Sequence, residues 1–280
     1  SKMVQMNIEK LKDAGYDFLE PGVGDLACGT SGKGRLPTIG DILEKMEDIF
    51  TIKDLVNERI LVTSGPTAEF IDPVRCITNR SSGKMGYAIA KIARRRGAEV
   101  ILITGQTHLP QPRNDIEVVE VVTACEMRDA VMEHYRACTV IIKAAAVADF
   151  KCSTENCNKI KKKGDESTML LELTKNPDII GELGMLKENR ILVGFAAETE
   201  NLLENASEKL KKKNLDLIIA NDVSKSDIGF GSDNNEVIII EVSGKTRHVP
   251  IMSKEEIANI IFDSIKKIIK KRKVVKDDWY

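Results

Sequence analysis

From residue 59 onward, short apolar runs alternate with stretches whose apolar side chains recur every three or four positions. Ile60–Thr63, Glu99–Thr104, Ile116–Val122, Val140–Ala146, Ile191–Phe195 and Leu217–Ala220 read as strands. Between and after them, Lys84–Arg96, Ala124–Arg136, Leu202–Lys213 and Lys254–Lys270 read as helices. This alternation predicts an α/β fold, a Rossmann-like doubly wound and mostly parallel sheet with ligands at the carboxyl ends of its strands. A hairpin of Glu236–Val242 and Arg247–Pro250 around Ser243-Gly244-Lys245 is an addition to it. The middle is less regular: a polar, lysine-rich flap over Lys151–Asp165, an exposed strand over Met169–Thr174, then a helix begun by Asn176-Pro177-Asp178. In that helix Asn176 suits the cap and Pro177 the first helical position.

Residues 1–50 do not follow this rhythm. Asn7–Ala14 reads as a helix, Tyr16–Leu19 as a short strand, Pro21–Pro37 as a glycine-rich loop, and Thr38–Phe50 as a helix with Asp41 in its first turn. The charged residues 51–58 read as a linker, with a second domain over 59–280.

Composition narrows the function classes. A net charge of −1 over 280 residues argues against nucleic acid or an anionic membrane as partner. The basic stretch Lys266–Lys273 follows an isoleucine stripe (Ile257, Ile260, Ile261, Ile265, Ile268, Ile269), as the solvated face of a packed helix would. No apolar run reaches a bilayer span, and the first fifteen residues lack the core of a signal peptide, so the expected compartment is cytoplasmic. Six cysteines without a C-x-x-C pair read as reduced thiols, with no structural metal expected.

The candidate chemistry begins at Arg59–Gly86. A strand breaks at Ser64-Gly65-Pro66-Thr67, a long polar loop follows, and the chain enters a helix at Ser81-Ser82-Gly83. It is not a P-loop, because Thr78 and Met85 occupy two required positions, and only Gly83-x-x-Gly86 remains of a dinucleotide fingerprint. Ser82 and Gly83 nevertheless open a helix whose N–H groups suit an anion; a glycine-rich helix start without ligand is the alternative. Asp149 ends an apolar strand, where it either faces a ligand or caps a turn. Lys159, Lys161, Lys162 and Lys163 form a cationic run, either anion-binding or solvated. Lys209 and Lys213, four apart, share a helix face.

SGPTAEFIDPVRCITNRSSGKMG (64–86) resembles the opening motif of the phosphopantothenoylcysteine synthetase family, the second half of the bifunctional coenzyme A biosynthesis proteins. The resemblance continues through AAAVADF (144–150), KIKKK (159–163), LTKNPDII (173–180), VGFAAETE (193–200), KKNLDLIIANDVS (212–224) and GFGSDNN (229–235), in the family's order. It implies a ligase joining 4′-phosphopantothenate to L-cysteine. CTP would activate the carboxylate as an acyl-cytidylate, and cysteine would then displace CMP. Mg²⁺, a homodimer and a larger oligomer for the full bifunctional protein are implied as well. LACGTSGKGR (26–35) is similar to the end of the FMN-dependent phosphopantothenoylcysteine decarboxylase, with Cys28 as its proton donor; the FMN-binding part would precede residue 1.

By the same resemblance Lys159 reaches the triphosphate and Asp149 binds nucleotide through Mg²⁺. Lys143, Ala144 and Ala145 touch the base, and Pro177, Asp178, Ile179 and Ile180 present a helix start to the nucleotide. Phe195 packs against base or ribose, and Lys209 and Lys213 reach phosphates. Asn79 would hold the acyl intermediate by donating to its oxygen, and Arg75 would bind phosphate or carboxylate, across a subunit interface. Asn221, Asp222 and Asp233–Asn235 match the motifs without an assigned role. Arg80 and Lys143 depart from the family pattern, and Lys143 bears on base contacts and so on CTP over ATP. An NAD(P)-binding oxidoreductase and a non-catalytic module on the same fold are the competing readings.

Overall fold

A computed structural model describes residues 2–25, 29–113, 115–161, 168–198, 200–222 and 231–277. The chain divides into two compact units, Ser1–Lys53 and Asp54–Tyr280.

In the first unit, α1 (Lys2–Asp13) buries no residue. The glycine-rich stretch is not a bare loop: β1 (Gly22–Asp25) and β2 (Ser31–Arg35) pair antiparallel across it. Tyr16–Leu19, expected as a short strand, carries none. α2 (Ile39–Phe50) starts as its sequence predicts. The Thr38 side chain accepts from the Asp41 N–H while the Asp41 carboxylate accepts from the Thr38 N–H, a reciprocal capping box.

The second unit begins inside the stretch read as a linker. Leu55 is buried, and its N–H donates to Arg96 O at 2.9 Å. The strands β3 (Arg59–Ser64), β6 (Glu99–Thr104), β7 (Glu117–Glu120), β8 (Val140–Lys143), β11 (Ile191–Glu198) and β12 (Leu217–Asp222) are parallel to one another. β13 (Asn234–Glu241) and β14 (Thr246–Ser253) extend the sheet antiparallel as the expected hairpin. The eight strands run in the order β14-β13-β12-β11-β8-β3-β6-β7. Its parallel part is the doubly wound order 3-2-1-4-5-6, so the chain reverses direction across the sheet between β3 and β8.

The strands are continuous apolar runs because both faces are covered. Ile60, Val62, Val100, Leu102 and Ile142 face α3 (Lys84–Arg95) and α7 (Lys254–Asp277) in one cluster. Leu61, Ile101, Ile103, Ile141 and Leu192 lie in the other, with residues of α4 (Ala124–His134), α5 (Ile179–Met185) and α6 (Leu202–Lys212).

Two small antiparallel sheets stand apart from this scaffold. β4 (Ala68–Asp72) pairs with β5 (Arg75–Thr78), in the stretch read as a polar loop. β9 (Phe150–Cys152) pairs with β10 (Leu173–Lys175), so the strand expected over Met169–Thr174 is short and lies at that segment's end.

Candidate functional site

The switch point between β3 and β8 is where two loops diverge and leave a crevice. α3 lies unusually close to β3. A Cβ on Gly86 would stand 2.5 Å from Ser64 Cβ, and the Ser64 hydroxyl donates to Gly83 O at 2.8 Å. Gly83 is the α3 N-cap in the left-handed region (φ 78°) and brings no side-chain cap of its own; its N–H reaches Ser81 Oγ at 3.4 Å and the Lys84 N–H reaches Ser82 Oγ at 3.5 Å. The start of α3, Gly83 to Gly86, lines the crevice with the positive end of the helix.

The opposite wall is the chain leaving β8. Ala144 N–H donates to Thr63 O at 3.2 Å, Ala145 N–H to Thr63 Oγ1 at 3.2 Å, and Ala146 N–H to Gly65 O at 2.9 Å. Asn79 Nδ2 donates to Ala146 O at 3.1 Å, so Asn79 spans the two walls.

Two cavities adjoin here. One, of about 350 Å³, is lined by Asn79, Ser82, Gly83, Ala144, Ala145 and Phe195 among others. The second, of about 430 Å³, is lined by Asn176 and Pro177–Ile180 and by Lys213. Lys143, Val147, Asp149 and Lys209 line both. Asn79, Ser81, Ser82 and Lys84 also border a larger cavity of about 1160 Å³ on the side of β6 and β7.

The charge at the junction is cationic and partly desolvated. Burial pushes the Lys143 ammonium down to about 8, and nearby Lys209 adds to the effect while Asp149 and Asp178 oppose it. Burial also lowers Lys209, whose Nζ donates to Phe195 O at 3.0 Å. Burial raises Asp178, but its hydrogen bonds from Lys213 and from the Gly181 N–H outweigh that and hold it below its ordinary value. A cleft with half-buried ammonium groups and a helix N-terminus lowers its own electrostatic cost when an anion enters.

The residues read from the sequence fall into two groups. Asn79, Ser82, Gly83, Lys143, Ala144, Ala145, Asp149, Pro177, Asp178, Ile179, Ile180, Phe195, Lys209 and Lys213 line the two adjoining cavities. Arg75 and Lys159 line none of the three cavities. The Arg75 guanidinium holds the buried Asp72 carboxylate through Nε (3.0 Å) and Nη2 (2.5 Å) and donates to Ile160 O at 2.9 Å. Asp72 also accepts from Ile160 N–H at 3.1 Å, so exposed Lys159 is tethered beside the β4–β5 hairpin. The arginine's hydrogen bonds hold Asp72 far below the usual carboxylate range. Cys28, Lys162 and Lys163 lie outside the described residues.

The helix cap is one residue class correct and two positions late. Asp178, not Asn176, caps α5, accepting from Gly181 N–H at 3.1 Å, because Pro177 precedes the helix rather than opening it. Sequence reading did not find that Lys84 and Lys254 line the cleft, nor that Asn221 and Asn235 do. The GFGSDNN motif was the available signal; Lys84 Nζ donates to Asp233 Oδ1 at 2.7 Å, which ties that motif to the α3 start.

Fold and cleft together define a doubly wound α/β domain with an anion-suited crevice at its topological switch point. The profile of the DNA/pantothenate metabolism flavoprotein C-terminal domain family matches residues 55–269, and the chain belongs to that family. It is 47% identical over 265 residues to the coenzyme A biosynthesis bifunctional protein CoaBC of Bacillus subtilis (strain 168), covering 94% of this chain and 65% of that protein. It is 42% identical over 262 residues to the same-named protein of Vibrio cholerae serotype O1, covering 93% and 65%. The chain thus spans about 65% of the length of these curated relatives. The crystal structure of the C-terminal domain of a coenzyme A biosynthesis bifunctional protein CoaBC is similar with a TM-score of 0.67 at 40% identity, covering 78% of this chain and 99% of that one. Among the described residues, no helix is long and apolar enough to cross a membrane.

Proposed function

We propose that the second unit is a phosphopantothenate–cysteine ligase of coenzyme A biosynthesis, using CTP. One observation carries the reading: residues from separate motifs, spread from Asn79 to Lys213, line two adjoining cavities around Lys143, Asp149 and Lys209. In the first step a carboxylate oxygen of 4′-phosphopantothenate attacks the α-phosphorus of CTP, forming the acyl-cytidylate and releasing pyrophosphate. In the second, the cysteine amine attacks the acyl carbon, loses a proton, and CMP leaves with the former carboxylate oxygen.

The first step brings two anions together, which the half-buried Lys143 and Lys209 and the α3 N–H groups favour by offsetting their repulsion. Asn79 stands on the wall between the nucleotide side and the larger cavity, which has room for the pantothenate arm. Its amide has a second N–H beyond the one given to Ala146 O, available to an acyl oxygen as negative charge builds there. A neutral donor does this without trapping the carboxylate as an ion pair.

Asp149 is exposed at the junction, and the described residues hold no cluster of three or more His, Cys, Asp or Glu suited to a metal. That donor set fits Mg²⁺ held by one carboxylate together with nucleotide phosphate oxygens. When bound, the ion would neutralise phosphate charge. Arg75, outside its own chain's cleft, fits a homodimer in which it serves a second copy. Lys159, beside the same hairpin, fits a role in closing over the triphosphate.

The test is pyrophosphate release with phosphopantothenate, cysteine and each of CTP, ATP, GTP and UTP. The expected outcome is turnover with CTP preferred, and a fall of about 100-fold or more in Asn79→Asp. No pyrophosphate release with any nucleotide would overturn the ligase reading.

A further inference from the structure

Asp149 lies on a stretch with no sheet to hold it. After β8 ends at Lys143 and Ala146 makes a single bridge to Pro66, Val147, Ala148 and Asp149 have no strand partner until β9 begins at Phe150. Yet the backbone of Ala148 is held on both sides, each time by a side chain. Its N–H donates to Thr67 Oγ1 at 3.0 Å, and its carbonyl accepts from Asn176 Nδ2 at 2.9 Å. The Asn176 N–H donates in turn to Asp149 O at 2.9 Å.

Both holders are themselves fixed. Thr67 is fully buried; its N–H donates to Ala146 O at 3.3 Å, and its carbonyl accepts from Thr78 Oγ1 at 2.8 Å. Asn176 is attached through two donors, while its Oδ1 is buried without a partner among the described residues. An amide there costs an unsatisfied acceptor, which makes sense where the Nδ2 donor to Ala148 O is what the position requires.

We infer that Thr67 and Asn176 are positioning residues: a two-sided clamp on Ala148 that fixes the Asp149 carboxylate at the junction of the two cavities. The inference rests on the proposed role of Asp149 toward a Mg²⁺-bound nucleotide. Asp149 supplies the contact, and the clamp sets where that contact is made. A carboxylate free to wander by about 1 Å would lose on the order of 100-fold in rate.

The experiment measures CTP binding by calorimetry across a Mg²⁺ titration, alongside pyrophosphate release, in the 280-residue chain. Thr67→Val keeps the shape and removes the acceptor; Asn176→Ala removes the side-chain donor from the other side. Each is expected to raise both the CTP Kd and the half-saturating Mg²⁺ concentration at least tenfold, with Thr67→Ser within about threefold of the parent. In an Asp149→Ala background, adding Thr67→Val or Asn176→Ala should change the CTP Kd by less than about twofold, because the clamp acts through that carboxylate.

Parent-like Mg²⁺ dependence in Thr67→Val and Asn176→Ala would overturn the clamp, as would an equal loss with and without Asp149. Should Thr67→Val fail to fold, Asn176→Ala and its Asp149→Ala double variant decide alone. Failure of the ligase reading looks different: a parent chain that binds CTP with Mg²⁺ but releases no pyrophosphate with phosphopantothenate and cysteine present.

Discussion

Lys143 is the most informative single residue. Its ammonium, pushed down to about 8 mainly by burial, is charged at neutral pH and loses its proton within an accessible range. An anion in the cleft favours the charged form, so nucleotide affinity should weaken as pH rises through about 8, and binding should take up protons. Calorimetry in buffers of different ionisation enthalpy between pH 7 and 9 reads this directly, and Lys143→Gln should flatten the profile. Stability responds in the opposite sense. The folded value lies below the ordinary 10.5, so the unfolded chain holds more protons between about 8 and 10.5 and Lys143's share of stability rises with pH there. The sequence shows why this lysine is unusual, entering an alanine-rich strand end. Burial of that strand end is what makes it titrate there, with Lys209 adding to the shift and Asp149 and Asp178 opposing it.

At the scale of elements, the helices and parallel strands were legible because their signals are local. Thr38 and Thr123 each close a capping box three residues ahead, and the β-branched runs of β3, β6 and β8 are too apolar for an exposed strand. The β4–β5 hairpin was not legible. Its inward positions include Glu69 and Asp72, buried carboxylates satisfied by the Ala124 N–H and by Arg75, which disguise the alternation as a polar loop. The site divides along the same line. Residues within one motif could be named, whereas Lys84, Lys254, Asn221 and Asn235 meet only because β12 and β13 follow β11 in the sheet order.

Gly83-x-x-Gly86, weak as a fingerprint, is firm as a packing rule: the second glycine permits α3 to approach β3. Gly86→Ala would force its Cβ against Ser64 and should cost about 1–3 kcal/mol by chemical denaturation, with nucleotide binding reduced in parallel. Ser64→Gly added to it should restore part of that loss, since the clash is with the Ser64 side chain.

At the scale of the molecule, the second unit is tied together by an ion network away from the cleft. Arg96, nearly fully buried, donates to both carboxylate oxygens of Asp54 at 2.8 and 2.9 Å and to Asp263 at 2.9 Å, joining the start of the unit to α3 and α7. Burial raises Asp54, but Arg96 and Lys266 outweigh it and bring it to about 2. Its contribution is therefore present above the ordinary value of 3.8 and is lost as pH falls toward about 2. Asp54→Ala should destabilise the unit by about 2 kcal/mol at pH 7, less than the ~3–5 kcal/mol of a fully buried pair, because Arg96 keeps Asp263. Acid denaturation followed by circular dichroism should show a shallower transition for Asp54→Asn.

The crevice at the switch point exists only when distant parts of the chain have docked, from Ser64 beside Gly83 to Lys254 at the head of α7. Occupancy is consequently a reporter of the second unit's completion: a tight ligand should raise that unit's melting midpoint with its concentration, by linkage to its native state, and a melt monitored through the ligand should coincide with the second unit's own transition.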